Sequence, residues 1–250
     1  MSLDVFRSCI GKLPVAVDIH FSGMCEPWLN PECADMILYA HGRGHRIKVS
    51  TTLTGLEIDD IDRIASIPFK FFNVHLPLRE EGPQDAVAEH YLTLLERLDG
   101  SNIDVTYRCH GASVAPEVEL LLGPRIRHSK PHTRAGNREL AGSALPRRKR
   151  GHIGCRRLTR QNVLLPNGDV TLCCMDYGLQ HVLGNLLSGD YDALLRSDEL
   201  LRVRKGLRDG SEEILCRYCD AFAYHVSPFG RIADRTLERL LELRRTAGIG

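Results

Sequence analysis

The chain has 250 residues, of which 43% are hydrophobic and 26% charged, and a formal net charge of +1 at pH 7. These values are ordinary for a globular protein. Because positive and negative charges are nearly balanced, the net charge does not favour nucleic acid or a membrane surface as a partner. No apolar run approaches the roughly 20 residues that span a bilayer, and the first residues contain no apolar stretch of signal-peptide length. We therefore expect a cytoplasmic protein with neither a membrane nor nucleic acid as a partner.

Strand and helix patterns alternate through the first half of the chain. The predicted strands are residues 15–21, 46–52, 70–77, 102–109 and 125–130, and the predicted helices are 31–45, 56–67, 81–98 and 116–123. This alternation predicts parallel βαβ units with right-handed crossovers and therefore an α/β fold. The first two strands are less apolar than strands buried on both faces, so Asp18 and His20 either line an enclosed site or lie in solvent.

The composition changes at residues 134–154, which are rich in Gly, Arg and small residues and include the basic run RRKRG at 147–151. We interpret this segment as an exposed linker. A docking surface for nucleic acid or an acidic partner is the alternative, although no aromatic side chains interleave with the basic residues to stack on bases. Beyond the linker, residues 162–174 predict a hairpin around Pro-Asn-Gly-Asp, and residues 191–207 and 233–248 predict amphipathic helices.

Nine cysteines are more than packing requires, and the odd number without a secretion signal disfavours a disulfide framework. We interpret Cys9, Cys33 and Cys109 as small buried hydrophobic residues. The C-terminal cysteines form a different group. Their pattern is a CxxC pair at 216–219, a cysteine at 173 or 174 at the end of the predicted hairpin, and one at 155 just before it. Four thiolates suit either zinc or an iron–sulfur cubane, and the wide separation of residues 155 and 173 favours iron–sulfur over the short paired motifs of zinc sites.

The segments CRRLTRQNVLLPNGDVTLCC, GNLL and LCRYCDAF resemble the auxiliary-cluster region of radical SAM enzymes, the SPASM and shorter twitch domains. The family pattern of a cysteine, a hairpin glycine, a second cysteine, a Gly-Asn-Leu turn and a distal CxxC falls on Cys155, Gly168, Cys173, Gly184 to Leu186, and Cys216 with Cys219. The resemblance implies one auxiliary [4Fe–4S] cluster bound by Cys155, Cys173, Cys216 and Cys219, with Cys174 left unligated or exchanging with Cys173. No cysteine follows Cys219, which makes the region more similar to a twitch domain.

The N-terminal half resembles the same family. FSGMCEPWLNP is similar to the radical SAM GGEP segment, and VSTTLTG is similar to the strand end that follows it. The resemblance implies that S-adenosylmethionine lies beside Gly23, Met24, Cys25, Glu26, Pro27, Thr51 and Thr52. It also implies that Arg108 and Arg134 contact carboxylates of S-adenosylmethionine or of the substrate through bidentate bonds. Cys25 stands where the family has its second glycine. We interpret His75 and His110, near strand ends, as hydrogen-bonded structural histidines.

The CxxxCxxC motif that defines radical SAM enzymes is absent from these 250 residues. The resemblance therefore implies a truncated or degenerate member, and we expect this polypeptide alone not to cleave S-adenosylmethionine. The expected architecture is a partial parallel (β/α) barrel of the radical SAM type over residues 1–140, with the first βα unit missing. A small α+β twitch/SPASM-like domain over 141–225 and a C-terminal helix over 226–250 follow it.

Two functions fit these expectations. The first is a radical SAM-type enzyme with one auxiliary cluster, which modifies an unidentified small-molecule or peptide substrate and draws electrons from a donor such as flavodoxin or ferredoxin. The second is a non-catalytic four-cysteine zinc or iron–sulfur module that acts through a protein partner.

Overall fold

A computed structural model describes residues 1–78, 85–111, 113–130, 133–137, 147–155, 157–158 and 160–227, with residues 85–88 described by their backbone. The chain divides into two compact units. The first comprises Met1–Pro131, Val163–Val170 and Gly184–Leu194, and the second comprises His132–Asn162, Thr171–Leu183 and Leu195–Gly250. The described residues end at 227, so the amphipathic helix predicted over 233–248 lies outside them. The domain boundary predicted at residue 140 also falls on undescribed residues.

The first unit is built on a parallel sheet of five strands, which confirms the predicted α/β fold. The strands pair in chain order and every neighbouring pair is parallel. They are β1 (Ile19–Phe21), β2 (Ile47–Thr51), β3 (Phe71–His75), β4 (Val105–Cys109) and β5 (Ile126–His128). Strand β1 is shorter than predicted because Val17 N–H donates to the Pro14 carbonyl at 2.9 Å, which folds the residues before Asp18 into a turn.

Five helices lie in the Met1–Pro131 part of this unit. The helices are α1 (Leu3–Ile10), α2 (Cys33–Gly42), α3 (Ile58–Ile64), α4 (Asp85–Asp99) and α5 (Pro116–Leu122). The sequence has apolar residues at helical spacing on α2 and on and beside α3, which predicts that they face inward, and all of them are buried: Cys33, Met36, Ile37, Ala40, Leu56, Ile61, Ile64 and Ile67. Cys9, Cys33 and Cys109 are buried as well, which confirms their interpretation as packing residues.

The two faces of the parallel sheet differ in chemistry. One face is apolar and belongs to the buried core, as shown by Phe72 and Val74 on β3. The intervening Asn73 and His75 are only half-buried, although parallel sheets are usually apolar on both faces. Asp18, just before β1, forms ion pairs with Arg46, Lys48 and Lys70, and His20 is exposed. The half-buried polar face is therefore available to line a site.

The C-terminal part of the chain is made of short strands and two further helices. The antiparallel pair is β6 (Ile153–Cys155) with β10 (Ala223–His225), and the three-stranded sheet is β7 (Val163–Leu164), β8 (Asp169–Thr171) and β9 (Val182–Asn185). The helices are α6 (Tyr191–Leu194) and α7 (Asp198–Asp209). No helix in the described ranges is long and apolar enough to cross a membrane.

Two sequence expectations for this part have clear outcomes. The hairpin between β7 and β8 forms as predicted, with Leu165 N–H donating to the Asp169 carbonyl at 2.8 Å and Gly168 adopting a φ of +86° at the turn. The single helix predicted over 191–207 is instead two, because Ser197 interrupts it. The Ser197 hydroxyl accepts a hydrogen bond from Leu200 N–H at 3.3 Å and so caps a new helix, α7.

Candidate functional site

The four predicted ligand cysteines all belong to the second unit and influence one another electrostatically. Burial raises the pKa of Cys216 well above its ordinary value, and the charges of Cys173, Cys155 and Cys219 raise it further. Burial likewise raises the pKa of Cys173 to about 12, with smaller contributions from Cys174, Cys155 and Cys219. Cys173 and Cys219 belong to one packed group, and Cys155 pairs in register with Ala223, four residues after Cys219, so folding brings together cysteines from distant parts of the sequence.

The cysteines are held by short elements and by backbone hydrogen bonds to sulfur. Cys155 ends β6, Cys173 follows β8, and the CxxC pair lies on and beside a 3₁₀ turn, Leu215–Tyr218. The backbone N–H of Arg157 donates to Cys155 Sγ at 3.4 Å, and that of Phe222 donates to Cys219 Sγ at 3.4 Å. Hydrogen bonds to sulfur stabilise thiolate charge, which is the form that binds metal.

The donor set fits a cluster of iron and sulfide. Among the residues that the structure describes, no group of three or more His, Cys, Asp or Glu side chains is arranged to hold a metal ion. Four thiolates can bind either one tetrahedral zinc or the four irons of a cubane. Four soft sulfur donors, three of them buried, suit the cubane.

Arg217, between the two cysteines of the CxxC pair, fastens this loop to the rest of the unit. Its side chain is fully buried, and it donates to the carbonyl groups of Gly206, Leu207, Lys149 and Gly151. Gly206 and Leu207 lie in the last turn of α7, where helix carbonyls lack their usual partners. The Gly206 carbonyl also accepts from Gly210 N–H at 3.2 Å, so the guanidinium adds a second donor there and supplies one to Leu207 while it fixes the position of the two thiols.

A buried histidine positions the start of the same 3₁₀ turn. His181 Nε2 accepts a hydrogen bond from Leu215 N–H at 3.2 Å, so its Nδ1 carries the proton and donates to Glu199 Oε1 at 2.6 Å. Burial opposes ionisation of Glu199, but hydrogen bonds from Arg202 and His181 outweigh it and lower the pKa of the carboxyl group. The sequence analysis missed both His181 and Arg217, although an arginine inside a CxxC pair was a readable signal.

The segment predicted to flank S-adenosylmethionine is held at the carboxyl end of β2. Glu26 Oε1 accepts from Thr51 Oγ1 at 2.6 Å, and Oε2 accepts from Thr52 N–H at 2.6 Å and Thr52 Oγ1 at 2.9 Å. Gly23 has a φ of +130°, a conformation that side chains disfavour, and Cys25 is exposed. The structure thus brings Glu26, Thr51 and Thr52 together, while Met24 and Pro27 continue the same segment.

The two predicted arginines lie in different units. Arg108, on β4, is half-buried, and its Nε donates to Asn73 Oδ1 on β3 at 3.4 Å. Arg134 belongs to the second unit, where its Nη1 donates to the Cys174 carbonyl at 3.2 Å and its guanidinium lies 4.9 Å from the centre of the Tyr177 ring. Arg108 therefore faces the polar side of the sheet, whereas the contacts of Arg134 are to the cysteine region.

Two histidines that we interpreted separately form one hydrogen-bonded chain. His110 Nε2 and His75 Nδ1 are 2.9 Å apart, and His110 Nδ1 lies 2.8 Å from Ser129 Oγ. The three residues follow or end consecutive strands, β3, β4 and β5. The carboxyl ends of parallel strands are the usual position of ligands in α/β folds. A chain of titratable groups here is suited to binding or proton transfer.

Comparison with known proteins identifies the cysteine region and the fold. Residues 155–221 match the SPASM family, described as an iron–sulfur cluster-binding domain. No curated protein sequence matches the chain. Among solved structures, BtrN in complex with AdoMet and 2-DOIA has 18% sequence identity and a TM-score of 0.58, over 88% of this chain and 80% of BtrN. Native anSMEcpe with bound AdoMet and Kp18Cys peptide has 12% identity and a TM-score of 0.56, over 88% of this chain and 78% of that one.

BtrN and anSMEcpe are radical SAM enzymes. The chain therefore has the fold of radical SAM enzymes and carries a SPASM iron–sulfur region, which confirms the resemblance predicted from the sequence. The matched segment begins at Cys155 and includes Cys173, Cys216 and Cys219.

Proposed function

We propose that this chain is a radical SAM-type protein whose second unit binds one auxiliary [4Fe–4S] cluster through Cys155, Cys173, Cys216 and Cys219. The observation that carries the proposal is the match of residues 155–221 to an iron–sulfur cluster-binding domain, because all four cysteines lie within the matched segment. We place the limits of this domain at residues 141 and 225, between the partial barrel of 1–140 and the C-terminal helix of 226–250.

When bound, such a cluster supplies a site for one-electron transfer. The residues of the chain orient the thiolates and exclude water. Backbone N–H groups of Arg157 and Phe222 point at two of the sulfur atoms, and Arg217 holds the CxxC loop on α7. Cys173, Cys216 and Cys219 are each at most 8% exposed, so little water reaches the sulfur atoms. Burial and hydrogen bonding to sulfur are the means by which proteins set a cluster's potential.

We infer that S-adenosylmethionine and a small-molecule or peptide substrate bind at the carboxyl edge of the parallel sheet. Glu26, Thr51 and Thr52 would line the binding site for S-adenosylmethionine, together with the adjoining residues Gly23, Met24, Cys25 and Pro27. Arg108 would pair with a carboxylate from the polar face, and Arg134 is a second candidate for such a contact. BtrN binds AdoMet and 2-DOIA, and anSMEcpe binds AdoMet and a peptide, which supports both ligand classes here.

We further propose that these 250 residues do not cleave S-adenosylmethionine by themselves, because their sequence holds no CxxxCxxC motif. Reductive cleavage needs a cluster with one open iron position, and three cysteines at that spacing provide it in the family. A form of the protein that does cleave S-adenosylmethionine would draw electrons from a donor such as flavodoxin or ferredoxin. The alternative function, a zinc or iron–sulfur module acting through a protein partner, is supported by the same lack of the motif.

The test is metal analysis of protein purified without oxygen and reconstituted with iron and sulfide. We expect about four irons and four sulfides per chain, with loss of both in Cys155→Ala and in Cys216→Ala. Cys33→Ala is the matched control for Cys216→Ala, because both thiols are buried and Cys33 belongs to the core of the first unit. Iron binding that survives both ligand substitutions would refute the proposed ligand set. One zinc per chain without iron uptake would support the alternative.

A further inference from the structure

The sequence offers two neighbouring thiols, Cys173 and Cys174, for one ligand position. Both belong to the same packed group in the second unit, where Cys173 is buried and Cys174 is partly buried against it. Consecutive residues do not readily bind two corners of one cluster, so only one of them serves. A contact that holds one of the two thiols elsewhere would decide between them.

Arg157 contacts the thiol that the pattern leaves unligated. Its Nη1 donates to Cys174 Sγ at 3.2 Å, and its guanidinium lies 3.4 Å from the centre of the Phe222 ring. A guanidinium over an aromatic face is held in place by the negative charge of the ring face. The backbone N–H of the same residue donates to Cys155 Sγ, so Arg157 touches one proposed ligand and the spare thiol at once.

The backbone around Cys174 is fastened independently. Arg134 Nη1 donates to the Cys174 carbonyl at 3.2 Å, and Asn137 Nδ2 donates to the Met175 carbonyl at 3.0 Å. These two bonds fix the main chain that follows the Cys174 side chain, and the Arg157 guanidinium contacts the sulfur of that side chain.

We propose that Arg157 is a positioning residue that selects the cluster ligand. By binding Cys174 Sγ it holds this thiol away from the cluster position and leaves Cys173 as the ligand. This inference rests on the proposed function, because it presupposes a cluster on the four cysteines. When Arg157 is removed, Cys174 becomes able to replace Cys173: the Cys174 sulfur–iron bond forms as the Cys173 sulfur–iron bond breaks, Cys174 loses its thiol proton to solvent, Cys173 takes one up, and no redox change is needed.

The test uses the full chain, reconstituted anaerobically, with a brief pulse of iodoacetamide and mass spectrometry to read which cysteines are protected. In the wild type we expect Cys173 protected and Cys174 alkylated. In Cys173→Ala we expect iron below the wild-type content and Cys174 still alkylated. In the double variant Cys173→Ala with Arg157→Met, we expect Cys174 protected and iron restored to the wild-type content. Arg160→Met in place of Arg157→Met is the control, since Arg160 is exposed and close in sequence.

Protection of Cys174 in Cys173→Ala alone would overturn the inference, because the thiol would then exchange despite Arg157. A double variant that folds by circular dichroism but leaves Cys174 alkylated would overturn it as well. If the double variant does not fold, the single variant Arg157→Met tests the inference. In that variant we expect both Cys173 and Cys174 to be partly protected from iodoacetamide, and the wild-type protection pattern would refute the inference.

These outcomes separate the inference from the function on which it rests. A wild type that takes up no iron refutes the proposed function, and the inference with it. A wild type loaded with iron, whose protection pattern does not respond to Arg157→Met, refutes the inference alone.

Discussion

The Arg217 side chain provides the sharpest test of how the CxxC loop is held. Replacing it with methionine keeps a long apolar stem but removes all donors to four carbonyl groups. The carbonyls of Gly206 and Leu207 belong to buried residues, whereas Gly151 is exposed and Lys149 half-exposed, so water can replace the guanidinium at the latter two. Each buried carbonyl left without a donor costs about 1–3 kcal/mol. The Gly206 carbonyl keeps a hydrogen bond from Gly210 N–H at 3.2 Å, so on α7 only the Leu207 carbonyl loses its donor. We therefore expect Arg217→Met to lower the free energy of unfolding by about 1–3 kcal/mol.

Urea unfolding followed by far-ultraviolet circular dichroism measures this change. Arg150→Met is the matched control, because Arg150 is an exposed arginine in the basic run of the same unit, and we expect a change within about 0.5 kcal/mol. We also expect Arg217→Met to take up less iron than the wild type, since its CxxC loop loses its attachment to α7. A free energy of unfolding within about 0.5 kcal/mol of the wild type would show that the guanidinium contacts do not stabilise the unit.

Three further predictions concern the site and its supports. Glu26→Ala removes the acceptor for Thr51 and Thr52, so we expect AdoMet binding measured by calorimetry to weaken at least about tenfold, a loss of about 1.4 kcal/mol, and unchanged affinity would contradict this role. The pKa of Glu199 is lowered in the folded state, so its contribution to stability is present above the unfolded value of about 4.3 and is lost as the pH falls through the folded pKa. Urea unfolding between pH 6 and pH 3 should therefore show a smaller acid loss for Glu199→Gln than for the wild type, and equal slopes would refute the linkage. Gly168→Ala places a Cβ 2.7 Å from Leu187 Cγ at a φ of +86°, and we expect a loss of about 1–3 kcal/mol, which a wild-type unfolding midpoint would exclude.

The parallel sheet and its helices were predictable because their signals are local. Apolar spacing on α2 and α3 matches the observed burial residue by residue, and each strand from β2 to β5 falls inside its predicted range. The errors also have local causes. Pro14 starts a turn that shortens β1, and the Ser197-Asp-Glu sequence, a readable capping signal, divides the helix predicted over 191–207.

Interactions between distant residues account for what the sequence did not reveal. Strands β6 and β10 pair across about 70 positions, and neither is long enough to show an alternating pattern of its own. The Arg217 contacts reach carbonyl groups up to 68 positions away, and no local pattern predicts a bond from a side chain to a particular carbonyl. The cysteine spacing, by contrast, is a strong signal for a metal or cluster site, because each cysteine in it supplies a thiolate ligand. The ligand set derived from that spacing remains a prediction.

Mössbauer spectroscopy of the chain reconstituted with ⁵⁷Fe tests the central claim most directly. Our account predicts a single cubane cluster with about four irons per chain in the wild type. It also predicts no cubane signal in the variant with alanine at residues 155, 173, 174, 216 and 219. Mononuclear iron in the wild type, or a cubane signal that persists in the five-alanine variant, would contradict a cluster held by these cysteines.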